Sequence, residues 1–409
     1  MSLQETRSPA RACGILFRAL AWLTGSMRRQ SFVEAMASST SFWANSRVQG
    51  GGPFAVSETY FNRITNGAPL FQMPDPFPSS LVSADVPSQN ASGYPLHTSN
   101  GKIHQFNVTL ERQVKDMGFR LSYIGSRNRG MNYGDDGLDI NRPMPSLIPF
   151  TDSRRLLPQY VSTYYPKSNG RANYDSLSLN AERRVGWVTF DAHWTWANSM
   201  SDYLNLDNPY STNHWNRDLI ARHRVVFNSV WELPFGKGRR FMSNAPRAVD
   251  EVLGGWRLVW VTYLMTGQYF SPSFDNADPS NTNTFGGMPD RICNGNLPAG
   301  QRTVNRWFDA SCFVNPPAGR FGNSGVNILE GPGMHVHNAT LLKRFTLTEK
   351  LHFDLMGMVG NIFNHPNFLA PAADISVPGG AGVINSVYGL FAGERAGPRM
   401  VELRGRIEF

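Results

Sequence analysis

The sequence of 409 residues lacks a long hydrophobic run. No stretch approaches the roughly 18 consecutive apolar residues that a membrane-spanning helix needs, although 41% of the residues are hydrophobic. This absence excludes a helical membrane protein. It does not exclude a protein that crosses the membrane in strands, because every second residue of such a strand faces the interior and can be polar.

Cysteine is also scarce, with three residues in the chain. Cys13, Cys293 and Cys312 have neither the spacing of a metal site nor that of a redox motif. Cys293 and Cys312 could close one loop in an oxidising compartment, and the alternative is that both remain unpaired thiols.

The sequence has no catalytic motif of the HExxH or GxSxG type and no Cys/His pair. Five titratable residues on predicted strands could face an interior, where we expect hydrogen bonding and not catalysis: Asp191, His193, His223, His352 and Asp354. We therefore predict that the protein is not an enzyme.

Two acidic groups in predicted loops offer oxygen ligands of the kind that Ca²⁺ accepts. They are Asp135, Gly137 and Asp139, and Asp275, Asn276 and Asp278. Neither group has the EF-hand spacing, so we interpret both as solvated turns. We predict no metal site and no cofactor.

A concentrated basic patch is missing too. The formal net charge is +8, but the basic residues are scattered along the chain and do not alternate with stacking aromatic residues. This distribution argues against a nucleic-acid partner.

What the sequence does contain is alternation. Nine segments are predicted to be β-strands, most of them because apolar and polar residues alternate along them: Gln105–Glu111, Phe119–Tyr123, Leu177–Glu182, Val188–Trp196, Val225–Leu233, Trp256–Tyr269, His335–Phe345, Leu351–Phe363 and Val401–Phe409. The segment Trp256–Tyr269 is apolar on both faces. Phe32–Trp43 supplies a tenth, less regular candidate, and 45–100 is its predicted outer loop.

The predicted connections alternate between short and long, which is typical of a barrel with turns on one side and loops on the other. The short ones are Gln113–Met117, Arg184–Gly186, Phe235–Gly254 and Thr346–Lys350, and the long ones are Ser126–Arg171, Asn198–Ile220, Phe270–Met334 and Asn364–Pro398. A C-terminus in the periplasm places every long loop outside the cell. A soluble β-sandwich or β-helix is the alternative, but sandwiches do not produce this regular alternation.

The last strand carries a further signal. Val401, Leu403, Ile407 and Phe409 form one apolar face, opposed by charged residues, and the chain ends on phenylalanine. This pattern resembles the signal that the outer-membrane barrel assembly machinery reads. Six tryptophans near strand ends or on apolar faces fit the aromatic girdles of a barrel in outer-membrane lipid, with ordinary packing as the alternative: Trp187, Trp194, Trp196, Trp231, Trp256 and Trp260.

Several longer motifs resemble the C-terminal barrel of TonB-dependent receptors, specifically Oar-like receptors with a carboxypeptidase-regulatory-like domain. They include GGPFAVSETYFNRITNGAPLF (51–71), FNVTLERQ (106–113), MGFRLSYIGSR (117–127), ELPFGKGRRF (232–241), TGQYFSPSF (266–274), RWFDASCFVNPPAGRFGNSG (306–325) and NIFNHPNF (361–368). The resemblance implies an all-β, antiparallel transmembrane β-barrel with long extracellular loops, of which this chain supplies about nine to ten strands out of about 22.

The resemblance also implies uptake of a scarce or large ligand with energy from the inner membrane. The chain shows neither a plug nor a TonB box, so we expect a fragment that meets the TonB complex only through a missing plug region. No convincing signal peptide precedes the barrel. We divide the chain into an unassigned segment, 1–40, and the barrel portion, 41–409.

Loops are where ligand contacts are expected. Within the motif that spans 306–325 we predict Trp307, Phe308, Asp309, Arg320 and Phe321 as candidate ligand contacts. Two other functions remain open: a small self-contained porin, adhesin or structural barrel, and an outer-membrane protease or lipase. The sequence does not identify the ligand.

Overall fold

The computed structural model describes residues 100–133, 138–165, 167–202, 208, 210, 215–275, 277–346, 348, 350–390 and 392–409, and the backbone of 30–41, 64–65, 68–69 and 89–92. The dominant element is one antiparallel sheet in which ten strands are neighbours in sequence order. The strands are β1 (Gln30–Ser41), β2 (Gly101–Val114), β3 (Met117–Tyr133), β4 (Lys167–Arg183), β5 (Val188–Ser201), β6 (His223–Glu232), β7 (Trp256–Met265), β8 (Met334–Thr346), β9 (His352–Gly360) and β10 (Met400–Glu408).

The remaining elements are short. Asn216–Arg217 adds an eleventh strand beside β5, and Gln89–Ser92 pairs in parallel with Tyr160–Tyr164. Three two-residue pairs join Ile64–Thr65 to Ala68–Pro69, Tyr269–Phe270 to Leu329–Glu330, and Asp290–Arg291 to Phe313–Val314. Helix α1 spans Arg247–Leu253, and 3₁₀ turns span Asp152–Arg154, Ala299–Gln301, Ala310–Cys312 and Gly393–Arg395. No helix among the described residues is long and apolar enough to cross a bilayer.

All nine predicted strands are confirmed, and so is the tenth candidate, which forms β1 and pairs with β2 over twelve residues. The bounds differ most in β3 and β4, whose pairing continues to Tyr133 and Lys167. Alternation missed this extension because its residues are polar on both faces. β1 spans the predicted division between 1–40 and 41–409, and that division itself stays a prediction.

Two predicted strands end earlier than expected, for local reasons. β9 stops at Gly360 because Asn361 adopts a positive φ of 46°, a conformation that asparagine tolerates and a continuing strand does not. β7 stops at Met265, two residues before Gly267. A Cβ atom on Gly267 would lie 1.7 Å from the carbonyl oxygen of Gly331, so only glycine allows this close approach.

The strand register gives the sheet an apolar face, because apolar residues stand opposite one another across neighbouring strands. Leu121, Leu179 and Trp194 are in register on β3, β4 and β5, and Val359 and Val401 are in register on β9 and β10. Tryptophans gather at the turn end of this face, where Trp187 and Trp231 make an edge contact at 6.0 Å. A predominantly apolar face is what strands in contact with lipid require.

The opposite, polar face is lined by paired charges and hydrogen-bonded groups. Arg344 on β8 makes two contacts of 2.7 Å with Asp354 on β9 and one of 2.7 Å with Glu408 on β10. Asn180 donates to Asp191 at 2.8 Å. Cross-strand pairing satisfies these groups without a buried apolar core, as in a water-lined interior.

The predicted interior position is confirmed for Asp191, His193, His352 and Asp354, which all lie on the polar face. It is wrong for His223. This residue is in register with Trp196 on the apolar face, and its ring stacks on Trp194 with centroids 5.9 Å apart. The reason is strand parity, since His223 is an even number of residues from Val225 and Phe227.

The long connections all leave one end of the sheet, which we name the loop end, and the others leave the turn end. The loop-end connections are 42–100, 134–166, 202–222, 266–333 and 361–399, and the turn-end connections are 115–116, 184–187, 233–255 and 347–351. The predicted assignment of connections to the two ends is confirmed. The prediction that every turn-end connection is short is wrong for 233–255, which is as long as 202–222.

The connection 233–255 has its own structure, which explains its length. Helix α1 places the Asp250 carboxylate at 2.6 Å from the backbone N–H of Lys237. Gly236 has a φ of 116°, and a Cβ atom there would lie 2.6 Å from the Asp250 carboxylate. Glycine is therefore required at 236, and the turn-rich motif ELPFGKGRRF encodes a compact structure at the turn end.

The two apolar faces of β7 are confirmed, and the second is covered by a loop. Tyr263 and Met265 pack with Met334 and Val336 against Ala396 and its neighbours in the 361–399 connection. Glu394 in this connection forms an ion pair of 3.1 Å with Arg224. The connection thus folds back over the polar side of the sheet.

The sheet is not closed. Among the described strands, β1 pairs only with β2 and β10 pairs only with β9. Two edges with free backbone hydrogen-bonding groups are therefore present.

Candidate functional site

The 266–333 connection is a compact unit at the loop end of the sheet. Phe308, Cys312, Phe313 and Leu329 form its core, and the aromatic rings meet edge to face. Cys293 and Cys312, whose pairing the sequence left open, form a disulfide with their Cα atoms 4.8 Å apart. The connection therefore has an internal core and a covalent link, unlike a solvated loop.

Charged residues organise the same unit. The Asp290 carboxylate binds the Arg320 guanidinium through two contacts, one of 2.8 Å, and accepts the backbone N–H of Asn323 at 3.0 Å. Asp309 accepts a hydrogen bond of 2.7 Å from the Ser311 hydroxyl, which lowers the pKa of that carboxyl. Both carboxylates are thus occupied in holding the loop backbone.

These interactions fix the positions of the five residues that the sequence predicted to contact ligand. Phe308 is 2% exposed at the centre of the core, while Asp309 and Arg320 hold the loop in shape. Phe321 lines a small cavity of about 20 Å³. Trp307 lines a much larger one. The structure therefore brings one of the five residues to a cavity of ligand size, and the other four lie elsewhere in the loop.

The larger cavity, which we name the rim cavity, has a volume of about 410 Å³. One wall is the apolar face of the sheet at its loop end, and the other is the 266–333 connection. The lining residues are His223, Val225, Leu264, Met265, Thr266, Gly267, Ala299, Arg302, Trp307, Glu330, Gly331, Gly333 and His335. The close approach of Gly267 to Gly331 brings the two ends of this connection together beside the sheet.

The polar groups that line the rim cavity interact with one another. The Trp307 indole N–H donates to the Glu330 carbonyl at 2.8 Å, and the Arg302 guanidinium lies 5.6 Å from the Trp307 ring centroid. Arg302 also forms an ion pair of 3.5 Å with Glu330. The cavity thus combines an aromatic surface with fixed polar groups, which suits binding of a small molecule.

The sequence did not single out most of this cavity. Only Trp307 was among the predicted contacts. His223 was assigned to the opposite face, and Arg302 and Glu330 stand outside any motif. The cavity forms because residues 299–307 and 330–333 fold over three strands, and no local pattern specifies that contact.

The two acidic groups considered as Ca²⁺ ligands take part in turns. Asp139 accepts the backbone N–H groups of Asn141 and Thr163 at 2.9 and 2.8 Å. Asp278 accepts the Ser280 hydroxyl at 2.7 Å and the backbone N–H of Asn283 at 2.7 Å. Asp135, Gly137 and Asn276 lie outside the described residues. Within the described residues, no three His, Cys, Asp or Glu side chains are arranged to hold a metal ion.

The described part of the 134–166 connection, residues 138–165, supports the 266–333 unit from the side. The Asn281 amide donates to the Ser146 carbonyl at 2.8 Å, and the Arg154 guanidinium donates to the Asn281 carbonyl at 2.6 Å. The loops therefore form a joint structure beyond the sheet.

In β10, and at Phe409 directly after it, the apolar side chains are exposed. Val401, Leu403, Ile407 and Phe409 are 71%, 75%, 63% and 99% exposed. The charged residues of the same strand are on the polar face, where Arg404 pairs with Glu402 at 2.5 Å. The predicted alternation of the last strand is confirmed.

Solved structures that match this chain at low similarity include two outer-membrane transporters. The outer membrane transporter YddB from Escherichia coli has a TM-score of 0.39 and 8% identity, over 78% of this chain and 34% of that one. The FrpB iron transporter from Neisseria meningitidis has a TM-score of 0.38 and 11% identity, over 79% of this chain and 32% of that one. The chain thus spans about a third of the length of these proteins.

No curated protein matches the sequence. A family model does match. The model for the outer membrane beta barrel domain covers residues 35–397, which include nearly all of the sheet and its loops. The match agrees with the antiparallel sheet, its apolar face and its alternating connections. The chain therefore belongs to the outer-membrane β-barrel domain family and is located in the outer membrane.

Proposed function

We propose that the chain is part of a TonB-dependent outer-membrane receptor of the Oar-like type, which takes up a scarce or large ligand with energy from the inner membrane. The observation that carries the proposal is the open sheet of ten strands. Free strand edges are unfavourable in lipid, because hydrocarbon offers no partner for backbone N–H and C=O groups. Closure with further strands gives a barrel large enough to need a plug.

The loop end of the sheet is consistent with ligand capture outside the cell. The 266–333 connection, with its core and its disulfide, forms one wall of the rim cavity. We infer that Trp307 contacts ligand there, and that Phe308, Asp309, Arg320 and Phe321 act by shaping the loop. The partners in this proposal are outer-membrane lipid, the barrel assembly machinery and, through a plug, the TonB complex.

A small, self-contained porin is the competing function, and strand closure separates the two. A ten-stranded barrel must pair β1 with β10, whereas a larger barrel keeps them apart. We expect no disulfide between Leu403→Cys and a single cysteine placed at 32, 34, 36 or 38 of β1, which share the apolar face with Leu403 by the strand register, in cells that carry the protein in the outer membrane.

Val359→Cys with Val401→Cys is the positive control, because these positions face each other on β9 and β10. Efficient cross-linking between β1 and β10 in any of the four pairs contradicts the larger barrel. A second measurement tests for the plug directly. If the chain is part of a receptor, the polypeptide recovered with an antibody to 266–333 also yields plug peptides. A species that carries this sheet alone contradicts energy-coupled uptake.

The last strand gives a separate prediction about assembly. We propose that Val401, Leu403, Ile407 and Phe409 are the surface that the barrel assembly machinery binds. Deleting Phe409 removes the most exposed of these side chains, so we expect less folded protein in the outer membrane and more in the periplasm. Cell fractionation and heat-modifiable migration measure both pools. Glu408→Gln, on the polar face, is the control, and equal losses for the two variants contradict the proposal.

A further inference from the structure

Two arginines at the loop end of the sheet share one tyrosine. Arg217 lies in the short strand beside β5, Arg222 directly precedes β6, and Tyr269 follows β7. The guanidinium carbon of Arg217 is 4.9 Å from the Tyr269 ring centroid, and that of Arg222 is 5.9 Å away. All three side chains are partly buried. Two positive charges are therefore held near one aromatic ring, outside the membrane-spanning part of the sheet.

The backbone fixes these residues in place. Arg217 is paired with Met200, and its carbonyl accepts a hydrogen bond from the Asn327 amide. The Arg222 carbonyl accepts the backbone N–H of Ala197 at 2.9 Å. Tyr269 is paired with Glu330. The proximity of the two cations is thus imposed by hydrogen bonds of the sheet and the 266–333 connection.

The charges of this cluster are not balanced within the described part of the chain. No carboxylate there lies within ion-pair distance of Arg217 or Arg222. Asp218 is occupied by the hydroxyl groups of Ser199 and Ser201, and Glu330 pairs with Arg302. The Nε of Arg222 is buried without a hydrogen-bond partner among the same residues. A buried donor on a cation costs free energy unless an acceptor binds it.

We propose that Arg217 and Arg222 form a binding site for a phosphate-type oxyanion, with Tyr269 holding the two guanidinium groups in position. Planar guanidinium groups bind the oxygens of phosphate through two parallel hydrogen bonds, and partial burial strengthens the attraction. The phosphate is carried either by a soluble solute or by a lipid headgroup of the outer leaflet. The site does not depend on the receptor proposal, since a barrel of any function can carry it.

The test uses the full-length protein purified from outer membranes. One arm measures binding of inorganic pyrophosphate by titration calorimetry. The other measures flotation with phosphatidylcholine vesicles that contain either diphosphorylated lipid A or its dephosphorylated form. We expect saturable, phosphate-dependent binding in at least one arm, and that arm identifies the source. Arg217→Gln and Arg222→Gln should each weaken binding about tenfold, and the double variant should weaken it further.

Arg240→Gln is the matched control. It removes the same charge from a guanidinium that also lies over an aromatic ring, Phe241 at 5.6 Å, but this ring is at the turn end of the sheet. Arg239 is adjacent in sequence but does not lie over the Phe241 ring, so no pair of guanidinium groups shares that ring, and this variant should bind as the wild type does. Heat-modifiable migration verifies that each variant is folded. The proposal is overturned if the folded double variant binds as tightly as the wild type, or if the wild type binds in neither arm.

Discussion

Replacing Leu179 with arginine should destabilise the barrel by about 2–4 kcal/mol, the cost of an arginine on the lipid-facing side near the middle of the membrane. Leu179 is the central apolar residue of β4, between Leu177 and Ala181 on the same face. Its neighbours across the sheet are Leu121 and Trp194. The long cationic side chain has no partner in this environment and must reach the headgroups or draw water into the bilayer. Urea titration of the protein in lipid vesicles, followed by tryptophan fluorescence, measures the change.

Ser178→Arg provides the matched control at nearly the same depth. Ser178 lies on the polar face of β4, opposite Ser122 and Thr195. An arginine there remains among polar groups, so we expect a much smaller change in the free energy of unfolding. If the two variants lose stability equally, the assignment of the two faces to lipid and interior is wrong.

The contrast between these neighbours shows why the sheet was predictable from sequence. A strand that separates lipid from water must alternate, and β4 and β5 do so over their whole membrane-spanning part. Alternation does not predict strands in segments that do not separate lipid from water. Pairing of β3 with β4 continues to Tyr133 and Lys167 through residues that are polar on both faces. His223 was assigned to the interior from its chemistry, although its parity with Val225 places it on the apolar face.

The loops were predictable as loops but not as structures. The length of 266–333 suggested a ligand-binding region, and Trp307 does line the rim cavity. Phe308 and Arg320 drew attention as aromatic and charged residues, yet one is in the loop core and the other pairs with Asp290. The sequence cannot separate these roles, because they depend on contacts between residues about 20–30 positions apart. The arginines near Tyr269 were missed for the same reason.

Removal of the Cys293–Cys312 disulfide is the second change with a large expected effect, which is confined to the 266–333 unit. Cys293 and Cys312 are 19 residues apart, and in the chain-entropy account a cross-link over a loop of this size contributes about 3 kcal/mol. Removing it with Cys293→Ala and Cys312→Ala should make opening of the loop about 100-fold more frequent. The backbone N–H of Ile292, which donates to the Cys312 carbonyl at 2.9 Å, reports this opening by hydrogen exchange.

The amides of β7 and β8 are the internal reference, because ladder hydrogen bonds of the sheet protect them independently of the loop. Alanine at both positions avoids placing a hydroxyl in the core around Phe308 and Phe313, so the effect reports the cross-link and the lost sulfur contacts only. Wild-type protein treated with dithiothreitol should show the same loss of protection. If exchange at Ile292 is unchanged in both, the Phe308 core alone holds the loop, and the wall of the rim cavity is independent of redox conditions.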